Sequence, residues 1–169
     1  MIVDLKYTQT RRVRHEGKKL KNLIDVAIDR EIEAYDFYQD LAGRVEDPAI
    51  KDTLAFLAGE ERKHREFLTG YRDGRYESDS LRLADVVDYK IAEYLEEPDI
   101  SAEMDSADIY LVAAHRELQS YHFYRALADL HPDGEAKDML LRIANEEMKH
   151  KEKVEYLYSN TAFPQTAGG

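Results

Sequence analysis

A five-residue phrase occurs twice in the chain, and this repetition constrains the fold more than any other feature. The first copy is Glu60-Glu61-Arg62-Lys63-His64 and the second is Glu146-Glu147-Met148-Lys149-His150. Thirty residues before Glu61 and Glu147, a lone glutamate opens a second matching phrase. These are Glu31-Ile32-Glu33-Ala34-Tyr35-Asp36-Phe37-Tyr38 and Glu117-Leu118-Gln119-Ser120-Tyr121-His122-Phe123-Tyr124. One offset of 86 relates every pair (31/117, 61/147, 64/150), with no gap. Positions off the apolar stripe match too, including Arg30/Arg116, Lys51/Lys137, Asp52/Asp138, Lys63/Lys149 and Glu66/Glu152. Agreement at exposed as well as buried positions is what an internal duplication leaves. The expectation is two helical hairpins, each carrying half of one site.

The spacing of apolar residues supports helices throughout. A first helix is predicted over about 18–45, with stripe Leu20, Ile24, Ala27, Glu31, Ala34/Tyr35, Tyr38, Leu41/Ala42 and Val45. Steps of three and four keep these on one face. Asp47-Pro48 ends this helix and opens a second over about 48–73, with stripe Ile50, Leu54, Leu57, Glu61, His64, Leu68 and Tyr71. Gly74 suits a helix stop. A third long helix is predicted over about 106–130, capped by Asp105 or Ser106, and a fourth over about 135–158. The stripe of the fourth is that of the second shifted by 86. Between the hairpins, 75–104 form a long crossover in which Ser80 to Leu95 suggests a short helix broken before Pro98. The fold class expected is all-α, an antiparallel four-helix bundle of two hairpins with a long crossover. Residues 1–17 read as a basic N-terminal arm, solvated or a frayed helix start, 18–158 as the bundle, and 159–169 as a disordered tail.

Composition narrows the function. With no cysteine, these 169 residues offer no disulfide, thiolate metal site or iron–sulfur cluster. The net charge of −11 argues against nucleic acid as a general partner. Residues 1–21 carry seven Lys/Arg against Asp4 and Glu16, about +5, leaving about −16 for the rest. No apolar run reaches the ~20 residues of a membrane span, and the basic N-terminus lacks the apolar core of a signal peptide. A cytoplasmic location is the expectation.

Six ionisable residues fall in the middle of apolar stripes: Glu31, Glu61, His64, Glu117, Glu147 and His150. A buried carboxylate without a partner costs several kcal/mol. Four carboxylates carry −4, two divalent cations carry +4, and two neutral imidazoles complete the shells. The i,i+3 spacing lets the Glu and His of each pair share an ion. Oxygen-rich ligation with one imidazole per metal suits iron or manganese and tolerates zinc. Glu60 and Glu146 lie off the stripe and read as solvated or supporting residues. Tyr38 and Tyr124 sit two turns after a lone glutamate, as core aromatics or as hydroxyls holding a ligand carboxylate. Arg30 and Arg116 read as solvated helix residues. His115, His122 and His131 have no histidine 86 residues away and read as surface histidines.

A glutamate on each of two helices, with Glu-x-x-His on the other two, resembles the di-metal carboxylate pattern of the ferritin-like superfamily. Within it, Glu-x-x-Ala-x-x-Phe-Tyr followed by Glu-x-x-His looks most like the rubrerythrin group, across about 18–158. The resemblance implies two iron ions (Mn or Zn as substitutes) and an oxidoreductase that reduces peroxide or dioxygen, O2 or H2O2, in oxidative-stress defence. It further implies an external electron donor and a homodimer. Two departures stand out. Rubrerythrins carry a cysteine-ligated rubredoxin domain, which this sequence lacks. They also carry an extra glutamate one turn after the third-helix ligand, where this chain has Ser120, matched by Ala34. The six-ligand set is therefore more like the symmetric ferroxidase centre of bacterioferritin. A ferroxidase or iron-handling role is the alternative reading, followed by an organic-substrate hydroxylase and a non-catalytic metal-binding bundle.

Overall fold

The computed structural model describes residues 3–75, 87–101 and 104–163, with side chains from residue 22 onward. Helix α1 spans Val3–Arg44, α2 Pro48–Arg72, α3 Ile91–Tyr94, α4 Ser106–Asp129 and α5 Glu135–Ala162. There is no strand among the described residues, and the protein is an all-α bundle. Helices α1 and α2 pack as one hairpin and α4 with α5 as the other, while the short α3 lies against α4.

The breaks between helices come where the sequence supplies them. The Asp47 carboxylate accepts from the amides of Ala49 (2.8 Å) and Ile50 (3.3 Å), with Pro48 in the first turn of α2. Gly74 takes a left-handed φ of 72° just past the end of α2. At α4 the cap is Asp105, which exchanges hydrogen bonds with Asp108 in a reciprocal box.

Two boundaries differ from the sequence reading. Helix α1 begins at Val3, so the basic segment continues the helix (17 of its residues precede Leu20). Residues 1–42 contain no proline, and an existing helix propagates at low cost where nothing breaks it. Arg72 in the last turn of α2 pairs with Asp25 at 3.0 Å, so the residues of α1 before that contact run past the end of α2. Helix α5 extends to Ala162, taking in the first four residues of the expected tail; 164–169 lie outside the described residues. The short helix expected from Ser80 is seen only as α3, and 76–86 lie outside the described residues.

The core is divided into two apolar clusters. One joins Ile24, Ala27 and Ile28 with Phe67, Leu68, Tyr124, Leu127, Leu140 and Ile143. The other joins Tyr38 and Leu41 with Leu54, Leu57, Tyr110, Ala113, Ala114 and Val154. Each draws on all four long helices. The shift of 86 that matches the sequence phrases converts Ile24, Ala27 and Ile28 of the first cluster into Tyr110, Ala113 and Ala114 of the second. Between these clusters the helical stripes carry buried ionisable residues in place of apolar ones.

Candidate metal centre

All six stripe-interrupting residues are buried: Glu31, Glu61, His64, Glu117, Glu147 and His150 each keep 4 % or less of their surface exposed. Each occupies the inward face of its helix, Glu31 on α1, Glu61 and His64 on α2, Glu117 on α4, Glu147 and His150 on α5. The structure brings them into two overlapping sets. Glu31, Glu61, His64 and Glu147 offer ligand atoms within 4.8 Å of one another, and so do Glu61, Glu117, Glu147 and His150. Glu61 and Glu147 belong to both sets.

Distances around the imidazoles follow this plan. His64 Nδ1 lies 3.1 Å from Glu147 Oε1, 3.6 Å from Glu31 Oε2 and 3.7 Å from Glu61 Oε2. His150 Nδ1 lies 3.4 Å from Glu117 Oε2 and 3.8 Å from Glu147 Oε2. The two rings stack with centroids 5.5 Å apart. Both imidazoles therefore aim the same nitrogen into the cluster.

The donor set fits a pair of cations. Glu31 Oε2, Glu117 Oε2, both Glu147 oxygens, His64 Nδ1 and His150 Nδ1 are buried without a hydrogen-bond partner. Unsatisfied buried groups of this kind cost about 1–3 kcal/mol each, more when charged. Six convergent orphans mark a site whose satisfaction comes from a ligand.

Electrostatics give the same account. Burial, reinforced by the charge of Glu61, pushes the Glu117 carboxyl up to about 8. Burial and the charge of Glu147 raise Glu61 well above the carboxylate range. Burial opposes the charged form of His64, but the charge of Glu147 and the closely placed carboxylates of Glu31 and Glu61 outweigh it and raise the imidazole. His150 is raised likewise by Glu117, Glu147 and Glu60 against its burial. Without metal, protons must neutralise what divalent ions would otherwise neutralise.

Two tyrosines tie the hairpins together at this level. Tyr38 on α1 donates its hydroxyl to Glu117 Oε1 on α4, and Tyr124 on α4 donates to Glu31 Oε1 on α1. Burial first, and then the charge of the accepting glutamate, raises both phenols far above their usual range, so they remain donors. Above the same contact, the Arg116 guanidinium stands 4.2 Å from the Phe37 ring centre and Arg30 stands 4.9 Å from Phe123. The two arginines are thus packing residues rather than freely solvated ones. The sequence signal was present, since Phe37 and Phe123 share the offset of Arg30 and Arg116, but periodicity does not say which helix faces which.

Glu60 lies off the stripe, half-buried, with Oε2 3.9 Å from His150 Nε2 and Oε1 2.5 Å from Lys63 Nζ. The neighbouring His150 imidazole, opposed by burial and assisted by Lys63, holds its carboxyl down at about 2. Glu146 pairs with Lys149 at 2.7 Å, with no approach to His64 among the contacts described. Of the three remaining histidines, His122 is exposed and His115 and His131 are half-buried; none joins the cluster.

No helix among the described residues is long and apolar enough to cross a membrane. Residues 5–71 match the Rubrerythrin family. No curated protein matches the chain. A hypothetical protein from Pyrococcus furiosus is 25% identical and superposes with a TM-score of 0.58, over 85% of this chain and 90% of that one. Over the first hairpin the chain is thus similar to the Rubrerythrin family, and its fold is similar to that of the Pyrococcus furiosus protein.

Proposed function

We propose that the chain is a di-iron oxidoreductase that reduces hydrogen peroxide or dioxygen. Glu61 and Glu147 would contribute to holding both metal ions, with Glu31 and His64 holding one and Glu117 and His150 the other. The observation that carries this reading is the convergence of six partnerless buried donor atoms on two residue sets that share two glutamates. Iron is preferred because the donors are oxygen-rich with one imidazole per position; manganese and zinc are substitutes. When bound, the iron pair supplies two-electron redox chemistry towards an oxidant. The chain's own part is to hold and enclose. Tyr38 and Tyr124 fix the carboxylates of Glu117 and Glu31 from the opposite hairpin. The apolar clusters on either side exclude bulk water. Electrons would come from an external donor, since no cysteine is present to hold an iron–sulfur or rubredoxin centre in these residues. In the same reading the two hairpins descend from one duplicated unit, the protein works in the cytoplasm, and it pairs as a homodimer.

The test is anaerobic Fe(II) loading with iron quantified, then rapid mixing with O2 and with H2O2 separately. Uptake of two irons per chain and faster oxidation by peroxide support the peroxidase. Uptake of fewer than two sinks the di-iron reading. One feature favours a second role, ferroxidase or iron handling. One turn beyond Glu117 and Glu31 the buried residues are Ser120 and Ala34, so no seventh carboxylate is offered. Fast reaction with O2 followed by turnover of added Fe(II) identifies that role.

A further inference from the structure

Lys151, the residue after His150, has no exposed surface, yet it is a lysine. Its ammonium is held by three carboxylates: Asp88 at 2.6 Å, Glu155 at 2.9 Å and Glu93 at 3.0 Å. Glu155, also without exposure, accepts from the Ala92 amide at 2.9 Å. Asp88 further accepts from the amide of Lys90, which adopts a left-handed φ of 56°. Asp88, Ala92 and Glu93 belong to the crossover between the hairpins, and Ala92 is buried in the apolar cluster that contains Tyr38. A fully buried ammonium is stable only when paired this thoroughly. The cation of this cluster is the lysine itself, so the three carboxylates form a clamp and not another metal site. The first hairpin has no such device: Arg65 and Thr69 stand at the corresponding positions, both half-buried, and no equivalent carboxylate cluster occurs there among the described residues.

We propose that Lys151 is a positioning residue whose clamp fixes α5 and makes the metal pocket of Glu117 and His150 the slowly exchanging one of the two. The inference rests on the two-metal reading above. Metal release requires a ligand helix to yield at its inward face. On α5 the turn carrying His150 is stapled to the crossover, whereas among the described residues the turn of α2 carrying His64 is not. His150 also has Glu60 facing its outer nitrogen, a further restraint that His64 lacks among the contacts described.

The test loads the full chain with Zn(II), confirms two equivalents bound, and follows release to excess chelator. The expected release has two phases of equal amplitude, with rates separated by about tenfold or more. His150→Ala should abolish the slow phase and His64→Ala the fast one. Lys151→Met should speed the slow phase by about tenfold and leave the fast one unchanged. Because that variant leaves Glu155 buried and unpaired, Asp88→Asn and Glu93→Gln serve as milder variants, and they should speed the slow phase in the same direction. Helicity is recorded for each. A single release phase, a slow phase that survives His150→Ala, or clamp variants with unchanged release would each overturn the proposal. Failure to bind two equivalents at the outset would instead overturn the two-metal reading.

Discussion

In the first hairpin the residue after the inward histidine is Arg65, half-buried; in the second it is Lys151, sealed beneath the crossover by Asp88, Glu93 and Glu155. Just before these positions the hairpins match, His64 with His150 one residue earlier and Glu61 with Glu147 one turn earlier. Symmetry holds where the chemistry is concentrated and fails one layer out, at the segment that joins the halves. A crossover can lie along only one side of a bundle, so whichever hairpin receives it acquires contacts the other lacks. The centre therefore combines like donors with unlike restraints.

The comparison is broken most sharply at the shared residues. If Glu61 and Glu147 serve both positions, Glu61→Ala or Glu147→Ala should reduce bound metal from two per chain to near none, measured by elemental analysis after dialysis. Glu31→Ala and Glu117→Ala should each leave about one. Full stoichiometry in Glu61→Ala and Glu147→Ala would show that the ligand set is wrong. A difference between Glu31→Ala and Glu117→Ala would measure how far the outer asymmetry reaches inward.

Acidity gives the next effect. In the metal-free protein Glu117 is raised to about 8 from an ordinary 4.5, chiefly by burial and Glu61. The folded state therefore holds a proton that the unfolded chain releases between those values. The stabilisation is present below about 4.5 and is lost as pH rises through about 8, on the order of a few kcal/mol. His64 and His150, also raised, act in the same direction above their ordinary 6.5. Thermal melts of the metal-free protein should show Tm falling from pH 5 to pH 8.5, while the metal-loaded protein should be nearly flat. Glu117→Gln should flatten the metal-free profile; an unchanged slope would assign the effect to other groups.

The tyrosines test whether the crossed bonds are equivalent. Tyr38→Phe removes the donor to Glu117 and Tyr124→Phe the donor to Glu31. Each should cost about 1–3 kcal/mol in denaturant unfolding and lower metal affinity by about 10–100-fold. Both tyrosines are wholly buried, so unequal costs would come from the accepting glutamates and their surroundings.

Much of this was legible in the sequence. Helix faces, the Asp47-Pro48 break, the Gly74 stop and the six inward residues all follow from periodicity and local backbone chemistry, which depend on near neighbours. What stayed hidden depended on how one hairpin sits on the other. Tyr38 was an evident candidate for a ligand-holding hydroxyl, but its partner across the bundle, Glu117, is not encoded at any fixed spacing. No spacing in the sequence marks Lys151 as buried, because its burial is created by a crossover some sixty residues away. The length of α1 was missed for another reason. A polar, basic start lacks an apolar stripe, yet it continues as helix because nothing terminates it.

The smallest effect probes the outer edge of the symmetric region. Arg116 stands 4.2 Å from the centre of the Phe37 ring and Arg30 stands 4.9 Å from that of Phe123. A guanidinium over an aromatic face contributes about 0.5–1 kcal/mol at partly exposed sites. Replacing each by methionine keeps much of the apolar stem and removes the charge. Both variants should unfold at slightly lower denaturant concentration, Arg116→Met by the larger amount because its contact is closer. The Arg30→Met/Phe123→Leu and Arg116→Met/Phe37→Leu double-mutant cycles isolate the pair terms from general packing loss. Equal coupling in the two cycles would place the limit of symmetry outside this shell, between the arginine–phenylalanine contacts and the Lys151 clamp. Coupling in one cycle alone would move that limit inward to the tyrosines.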